Sequence, residues 1–274
     1  MKKTFIYTIF FLVILALHCL FYSQDQESWG IIVDALYLIA PISAFLVGNL
    51  LLKNLGTKNL LGFSILFLVL GMLLFSIGEI VWFFFVYVFK IEPYPSLADF
   101  FFLGVYPISL VGIILKIRSE KIKWSLWFFK KFLPFIFLLS ISAGVVFYYG
   151  VYSAYIPEDS LASNVVSMLY GIGDLILIFG CFLILVITIE YKGGKMFSPW
   201  ILTTLSYSIL LVADVLFSAN KDAYDINAML KMAIDVIWMA GYFVFGLGML
   251  NFLEIVQGQQ EKIKGKLNLK KNEE

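Results

Sequence analysis

The sequence predicts an all-α membrane protein of eight transmembrane helices, arranged as four parallel out-and-back hairpin repeats. Three observations lead there. The 274 residues are 61% hydrophobic and only 14% charged, with a mean hydropathy of +0.93, too few charges to cover a water-exposed surface. The apolar runs reach or exceed the roughly 20 residues that cross a bilayer's hydrocarbon core. The basic residues fall almost entirely in alternate loops, so the near-neutral net charge hides a segregation by face.

In chain order, Met1-Lys2-Lys3 precedes an apolar run at about 4–22 that resembles the start of a signal peptide. It exits through Leu17-His18-Cys19-Leu20-Phe21-Tyr22 with no small-x-small cleavage site, and reads as an uncleaved first span. Further spans follow at about 30–52, 60–89, 96–117, 132–152, 161–189, 197–219 and 226–256. Residues 257–274 form a charged tail that extends the last helix and frays. A single transmembrane domain thus occupies 1–256. Cys19 and Cys181 both lie within apolar runs, which excludes a disulfide framework or a CxxC metal site.

Eight spans with an internal N-terminus leave only Lys90, Lys221 and Lys231 of the 20 basic residues in the outer half. The outer loops carry Asp25, Glu27, Glu92, Glu158, Asp159, Asp222 and Asp225. The positive-inside rule therefore places both termini in the cytoplasm of a cell-membrane protein. The same chain contains a recurring unit. Glu79 and Asp99 are 20 positions apart and Asp214 and Asp235 are 21 apart, each pair spanning a polar turn. Gly104, Tyr106 and Gly112 after one unit are answered by Gly241, Tyr242 and Gly248 after the other, and Ala40-Pro41-Ile42-Ser43 by Tyr106-Pro107-Ile108-Ser109. All hairpins face one way, so the repeats are parallel rather than inverted.

The chemistry lies in six intramembrane acids: Asp34, Glu79, Asp99, Asp174, Asp214 and Asp235. Helical rise puts Asp34 and Asp99 roughly 5 Å inside their outer ends, and Glu79, Asp174 and Asp235 roughly 13–17 Å deep. An ionised carboxylate at a helix centre costs about 2.5–3.5 kcal/mol on insertion scales. With Lys231 the one basic residue at that depth, the acids are expected to face a wet cavity, hold a cation or carry protons. An outward-opening cleft lined by Glu79, Asp99, Asp174 and Asp235 satisfies this, with Asp214 and Lys231 as further ligand- or ion-binding candidates.

Each candidate also has a structural role open to it. Asp99 closes Ser96-Leu97-Ala98-Asp99, a capping box with Ser96 as cap. Asp34 and Asp214 are shallow enough to be solvated, and Lys231 and Asp235, four apart, can neutralise each other along one helix. Glycines 104, 112, 173, 180, 241, 246 and 248 are expected at close helix contacts. Glu79 and Asp174 have no such role. The lone His18 cannot build a His-rich zinc site, nor, without a second histidine, can a serine triad form. The segment 116–131, KIRSEKIKWSLWFFKK, suits an amphipathic anchor at the inner headgroup layer.

Gly171-Ile172-Gly173-Asp174 matches the GxGD signature of intramembrane aspartyl proteases, with Asp99 or Glu79 as partner acid. The Pro-Ala-Leu element is missing, and the Tyr-Asp pair occurs only as Tyr224-Asp225 in a loop. Pro95-Ser96-Leu97-Ala98-Asp99, followed by Tyr106-Pro107 and Gly112, resembles the PSxAD…YP motif of a multi-pass bacterial membrane sensor module. That module commonly precedes diguanylate-cyclase or cyclic-di-GMP phosphodiesterase domains, and the resemblance spans roughly residues 30–255. It implies a sensory role here with the output on a separate cytoplasmic signalling protein. The expectation is a non-enzymatic, ligand-binding membrane module with the bilayer as its first partner, no cofactor, no metal and no nucleic acid. A proton or cation transporter or channel is the alternative, and a GxGD-type intramembrane aspartyl protease the second.

Overall fold

A computed structural model describes residues 2–23, 26–91, 93–120, 126–189, 194–224 and 226–273. Every regular element among them is helical. They are α1 (Lys2–Tyr22), α2 (Gln26–Leu55), α3 (Leu60–Phe84), α4 (Leu97–Ser119), α5 (Leu126–Val146), α6 (Leu161–Ile189), α7 (Phe197–Ala219), the single turn α8 (Lys221–Tyr224) and α9 (Ala228–Glu273). π-helical turns continue α3 through Phe89 and α5 through Tyr152. Among the described residues seven helices are long and apolar enough to cross a membrane, and α5 contributes a shorter apolar stretch at Ile136–Tyr152. The protein is a multi-pass membrane protein.

Local chemistry sets the starts. Asn59 accepts from the Gly62 N–H at 2.8 Å and opens α3. Ser96 and Asp99 form the expected capping box at α4. Asn227 accepts from the Leu230 N–H at 3.1 Å ahead of α9. These bonds satisfy amide donors that the helix itself leaves free. Two helix starts differ from the sequence reading, and one is α5, which begins at Leu126 rather than near residue 132. α2 begins at Gln26 rather than near residue 30, so Asp34 lies roughly 12 Å from that helix end instead of 5 Å. α9 extends into the charged tail as expected and is one unbroken 46-residue helix, because the Gln-, Glu- and Lys-rich stretch after residue 256 has good helix propensity despite Gly258 and Gly265.

Six helices close into a ring in the order α2, α3, α4, α6, α7, α9, with α9 back against α2. α1 packs outside on α2 and α9, and α5 outside on α6. Neighbours in the ring run antiparallel except at the α4–α6 and α9–α2 contacts, where they run parallel, and the bundle has two distinct ends. One carries Lys53, Lys58, Lys116, Arg118 and Lys195 and is called the basic end below. There Thr4 donates to Glu254 at 3.0 Å and Lys3 to Gln257 at 2.8 Å, tying α1 to α9. Lys116, 3% exposed, is paired with Glu120 and stands 4.4 Å over the Trp200 ring, which offsets the burial of its charge.

The core of the basic half is apolar. Leu51, Ile65, Leu68, Met72, Ile113, Phe245, Met249 and Leu253 are all fully buried. The glycines expected at helix contacts are found at such contacts along the bundle: 104, 112, 173, 180, 241, 246 and 248 each have another side chain or helix within 3.3 Å of where a Cβ would stand. His18 packs inward rather than reaching an interface; it is 0% exposed, with its Nδ1 3.2 Å from the Val33 carbonyl. The expected headgroup anchor at 116–131 falls mostly outside the described residues: 121–125 are not described, and nothing is said of the side chains at 126–132. Asp25, Glu92 and Asp225 likewise lie outside the described residues, as do the side chains of Glu27 and Asp222.

Candidate functional site: a carboxylate and tyrosine network

All six intramembrane acids lie in the half of the bundle away from the basic end, and each accepts a hydrogen bond from an aromatic side chain. The arrangement begins with helical spacing. Asp34 and Tyr37 share one face of α2, Tyr170 and Asp174 one face of α6, and Asp235, Trp238 and Tyr242 one face of α9. On α4, Asp99 and Tyr106 are seven apart, two turns along the same face. No acid pairs with a tyrosine of its own helix; the bonds cross to a neighbour.

Between α2 and α3 the exchange is reciprocal. Tyr37 of α2 donates to Glu79 Oε1 at 3.3 Å, while Tyr87, on the π turn of α3, donates to Asp34 Oδ2 at 2.9 Å. The same exchange joins α4 and α6. Tyr106 donates to Asp174 Oδ1 at 2.9 Å and Tyr170 to Asp99 Oδ1 at 2.8 Å. At the third such contact Trp238 Nε1 of α9 donates to Asp214 Oδ1 of α7 at 2.8 Å, and Tyr224 of α8 to Asp235 Oδ1 at 2.5 Å. Each acid is thereby a register pin between two elements, since a slip of one residue would break both bonds of an exchange.

The six acids fall into two groups. Asp34 and Asp235 each lie within electrostatic reach of Glu79, around α2, α3 and α9. Tyr242 approaches Glu79 Oε1 at 3.5 Å from across the ring, and its own ring meets Phe75 edge-on at 5.3 Å. The second group is Asp99, Asp174 and Asp214 around α4, α6 and α7. Asp174 and Asp214 act on each other electrostatically and line one cavity. Of the four acids expected to line a single cleft, Glu79 and Asp235 therefore stand in one group, and Asp99 and Asp174 in the other.

Asp99 has a full set of partners. Its Oδ2 accepts from the Ser96 backbone N–H at 2.6 Å and the Ser96 hydroxyl at 2.9 Å, while Oδ1 takes Tyr170. Capping and helix pairing account for it. Lys231 stands 5.2 Å over the Tyr224 ring and within electrostatic reach of Asp34. Burial first, and then the Asp235 carboxylate, raise the Tyr224 phenol above its ordinary pKa, so Tyr224 stays protonated and remains a donor.

The glycines of Gly171-Ile172-Gly173-Asp174 have a packing explanation. A Cβ on Gly171 would stand 2.1 Å from the Gly150 carbonyl oxygen on the π turn after α5. One on Gly173 would stand 2.4 Å from the Tyr106 ring. The first glycine admits a neighbouring backbone and the second seats the tyrosine that binds Asp174. The acid that acts on Asp174 electrostatically is Asp214. Among the described residues no group of three His, Cys, Asp or Glu side chains is placed to hold a metal ion.

The aromatic donors are not apparent from the acids' spacing alone. Their signal was present: Tyr37, Tyr106, Tyr170, Trp238 and Tyr242 each stand three, four or seven positions from an intramembrane acid. Compared with family models, with curated proteins and with solved structures, the chain matches none.

Proposed function

We propose that this protein is a sensory membrane module that binds a small cation or a proton at the Glu79–Asp235 group and passes the event to a separate cytoplasmic protein. One observation carries the reading. Asp235, Trp238 and Tyr242 stand on α9, and that helix runs without a break to Glu273. At 1.5 Å per residue it is roughly 69 Å long, more than twice the hydrocarbon core of a bilayer. A shift or rotation at the acids is transmitted along a stiff element to its far end. The positive-inside rule puts that end in the cytoplasm.

Chemistry supports a cationic ligand. Glu79, Asp34 and Asp235 gather near the Lys231 ammonium, which lies within electrostatic reach of Asp34, and are flanked by tyrosine rings whose faces favour cations. The ring order supports a repeated architecture of four out-and-back hairpins, because α3–α4 with Glu79 and Asp99 and α7–α9 with Asp214 and Asp235 occupy equivalent stations around it. The resemblance of Pro95–Asp99 and Tyr106-Pro107 to a bacterial sensor module agrees with this reading.

Transport of protons or cations is the competing function, and the axial distribution of polar groups weighs against it. A conduit needs polar stations along its whole length. Here the carboxylates stop near mid-depth, and the basic half is closed by the fully buried Ile65, Leu68, Met72, Phe245 and Met249.

The test places nitroxide labels at Lys58 and at Ile263 on exposed α9, in a Cys19→Ser background. Distances between them are measured in liposomes as the pH is lowered and, separately, as choline chloride is added. A change in the distance distribution that disappears in Glu79→Gln supports sensing. An invariant distance under both probes overturns it, and Glu79-dependent proton uptake into the liposomes establishes transport instead.

A further inference from the structure

The α4–α6–α7 side of the bundle holds a cavity that the sensing argument does not use. Its volume is about 20 Å³, room for one water-sized occupant and nothing larger. Tyr106, Asp174, Cys181, Tyr207, Ser208 and Asp214 supply its polar lining; Phe75, Ile178 and the leucines of α6 and α7 complete the wall. Asp174, Cys181 and Tyr207 are 6%, 5% and 5% exposed, while Ser208 stands exposed at the rim between α6 and α7.

Charge and space disagree unless something fills the cavity. Two carboxylates face it and no lysine, arginine or histidine does. Their aromatic donors, Tyr106 and Trp238, each occupy one oxygen, Oδ1 of Asp174 and Oδ1 of Asp214. Neutral donors share hydrogen bonds but add no positive charge, and two uncompensated negative charges this close within a membrane are strongly disfavoured. A second feature points the same way. Cys181 is a free thiol lining the same cavity, nearly wholly buried, with no hydrogen-bond partner among the described residues. Tyr207 is already engaged, its hydroxyl 3.0 Å from that of Ser109.

We propose that this cavity is a binding site for one small monovalent cation, a sodium ion or a proton carried on a water, held between Asp174 and Asp214. The carboxylates supply the charge, and the Ser208 hydroxyl at the rim supplies a further oxygen. Cavity size excludes organic cations, and a volume of about 20 Å³ leaves no room for the several waters that a divalent ion bound by two carboxylates retains. Asp174 and Asp214 act here as ligands, independently of Glu79 and of any signal along α9.

The full chain, purified in detergent, is the material for the test. Thermal unfolding is followed in sodium chloride and in choline chloride at equal ionic strength, at neutral and at mildly acidic pH. A sodium site gives a saturable rise in midpoint with sodium and none with choline. The sodium needed for half the effect rises about tenfold per pH unit where protons compete. Asp174→Asn and Asp214→Asn abolish that rise, and Glu79→Gln retains it. A proton site gives a midpoint that depends on pH but not on sodium, again lost in both Asn variants. In parallel, alkylation of Cys181 by N-ethylmaleimide is timed in the Cys19→Ser chain, which needs no Asp variant to fold. An occupied site slows it at least several-fold on adding sodium or on acidifying beyond the reagent's own pH dependence. Midpoints and alkylation rates indifferent to sodium, with a pH response unchanged in both Asn variants, overturn the proposal. Since Glu79 is untouched by either outcome, failure here leaves the sensing test standing, and the reverse holds too.

Discussion

The two halves of this bundle are built from the same six helices but solve different physical problems. Near the basic end, Leu51, Ile65, Leu68, Met72, Phe245 and Met249 interlock with hardly any exposed surface. Toward the other end the same ring is held by pairs in which a phenol or indole of one element binds a carboxylate of the next. Lipid offers no hydrophobic drive for helices to associate, so close packing must supply most of the cohesion. Polar pairs in membranes contribute less on average, but they depend sharply on register. The apolar half therefore holds the fold together, and the polar half fixes how the helices are aligned.

The largest expected effect comes from damaging the apolar half. Leu68→Ala removes a fully buried side chain that lies against Gly112 and should cost about 2–5 kcal/mol, measured by unfolding in mixed detergent with denaturant. A loss under 1 kcal/mol would break the division between the halves. Next is Gly171→Ala, where the added methyl meets backbone of Gly150 that cannot rotate away. We expect a destabilisation of about 1–3 kcal/mol. Gly144→Ala on α5 meets nothing within 4 Å, so it should be neutral or stabilise by up to about 1 kcal/mol.

Smaller effects should follow in the polar half. Tyr106→Phe and Tyr170→Phe each remove one bond of the α4–α6 exchange and should cost about 0.6 kcal/mol, with a ceiling near 1.7. A double-mutant cycle of Tyr106→Phe with Asp174→Asn sharpens the comparison, because a coupling of zero would mean that the pair adds nothing to register. Glu79→Gln is the mildest in stability. The amide oxygen still accepts from Tyr37 and Tyr242, so the change should stay within about 0.5 kcal/mol while the response to pH is lost. A large loss of stability with the response intact would make Glu79 a purely structural residue.

Much of the architecture was legible along the chain. Apolar runs located the helices to within a few residues, since a membrane span must satisfy its own backbone and meet lipid over a fixed length. Ser96-Leu97-Ala98-Asp99 announced its capping box, a contact between residues three apart. The helix starts were less legible: α2 begins at Gln26 and α5 at Leu126, because polar residues outside the hydrocarbon core extend a helix as readily as they leave one.

The six acids themselves were determined by sequence alone, for a carboxylate inside an apolar run stands out against a background where it is costly. Their partners were decided only by the tertiary structure. Asp34 and Tyr37 are neighbours on α2, yet each bonds to α3; Asp99 and Tyr106 are aligned on α4, yet each bonds to α6. Helical periodicity says which residues share a face, and ring order says which face looks back at them. That order depends on glycines such as Gly171 and Gly173, whose missing side chains admit a backbone and a tyrosine ring from elsewhere in the chain. The pairing of Asp174 with Asp214, 40 positions away, and the cavity between them arise from the same long-range packing.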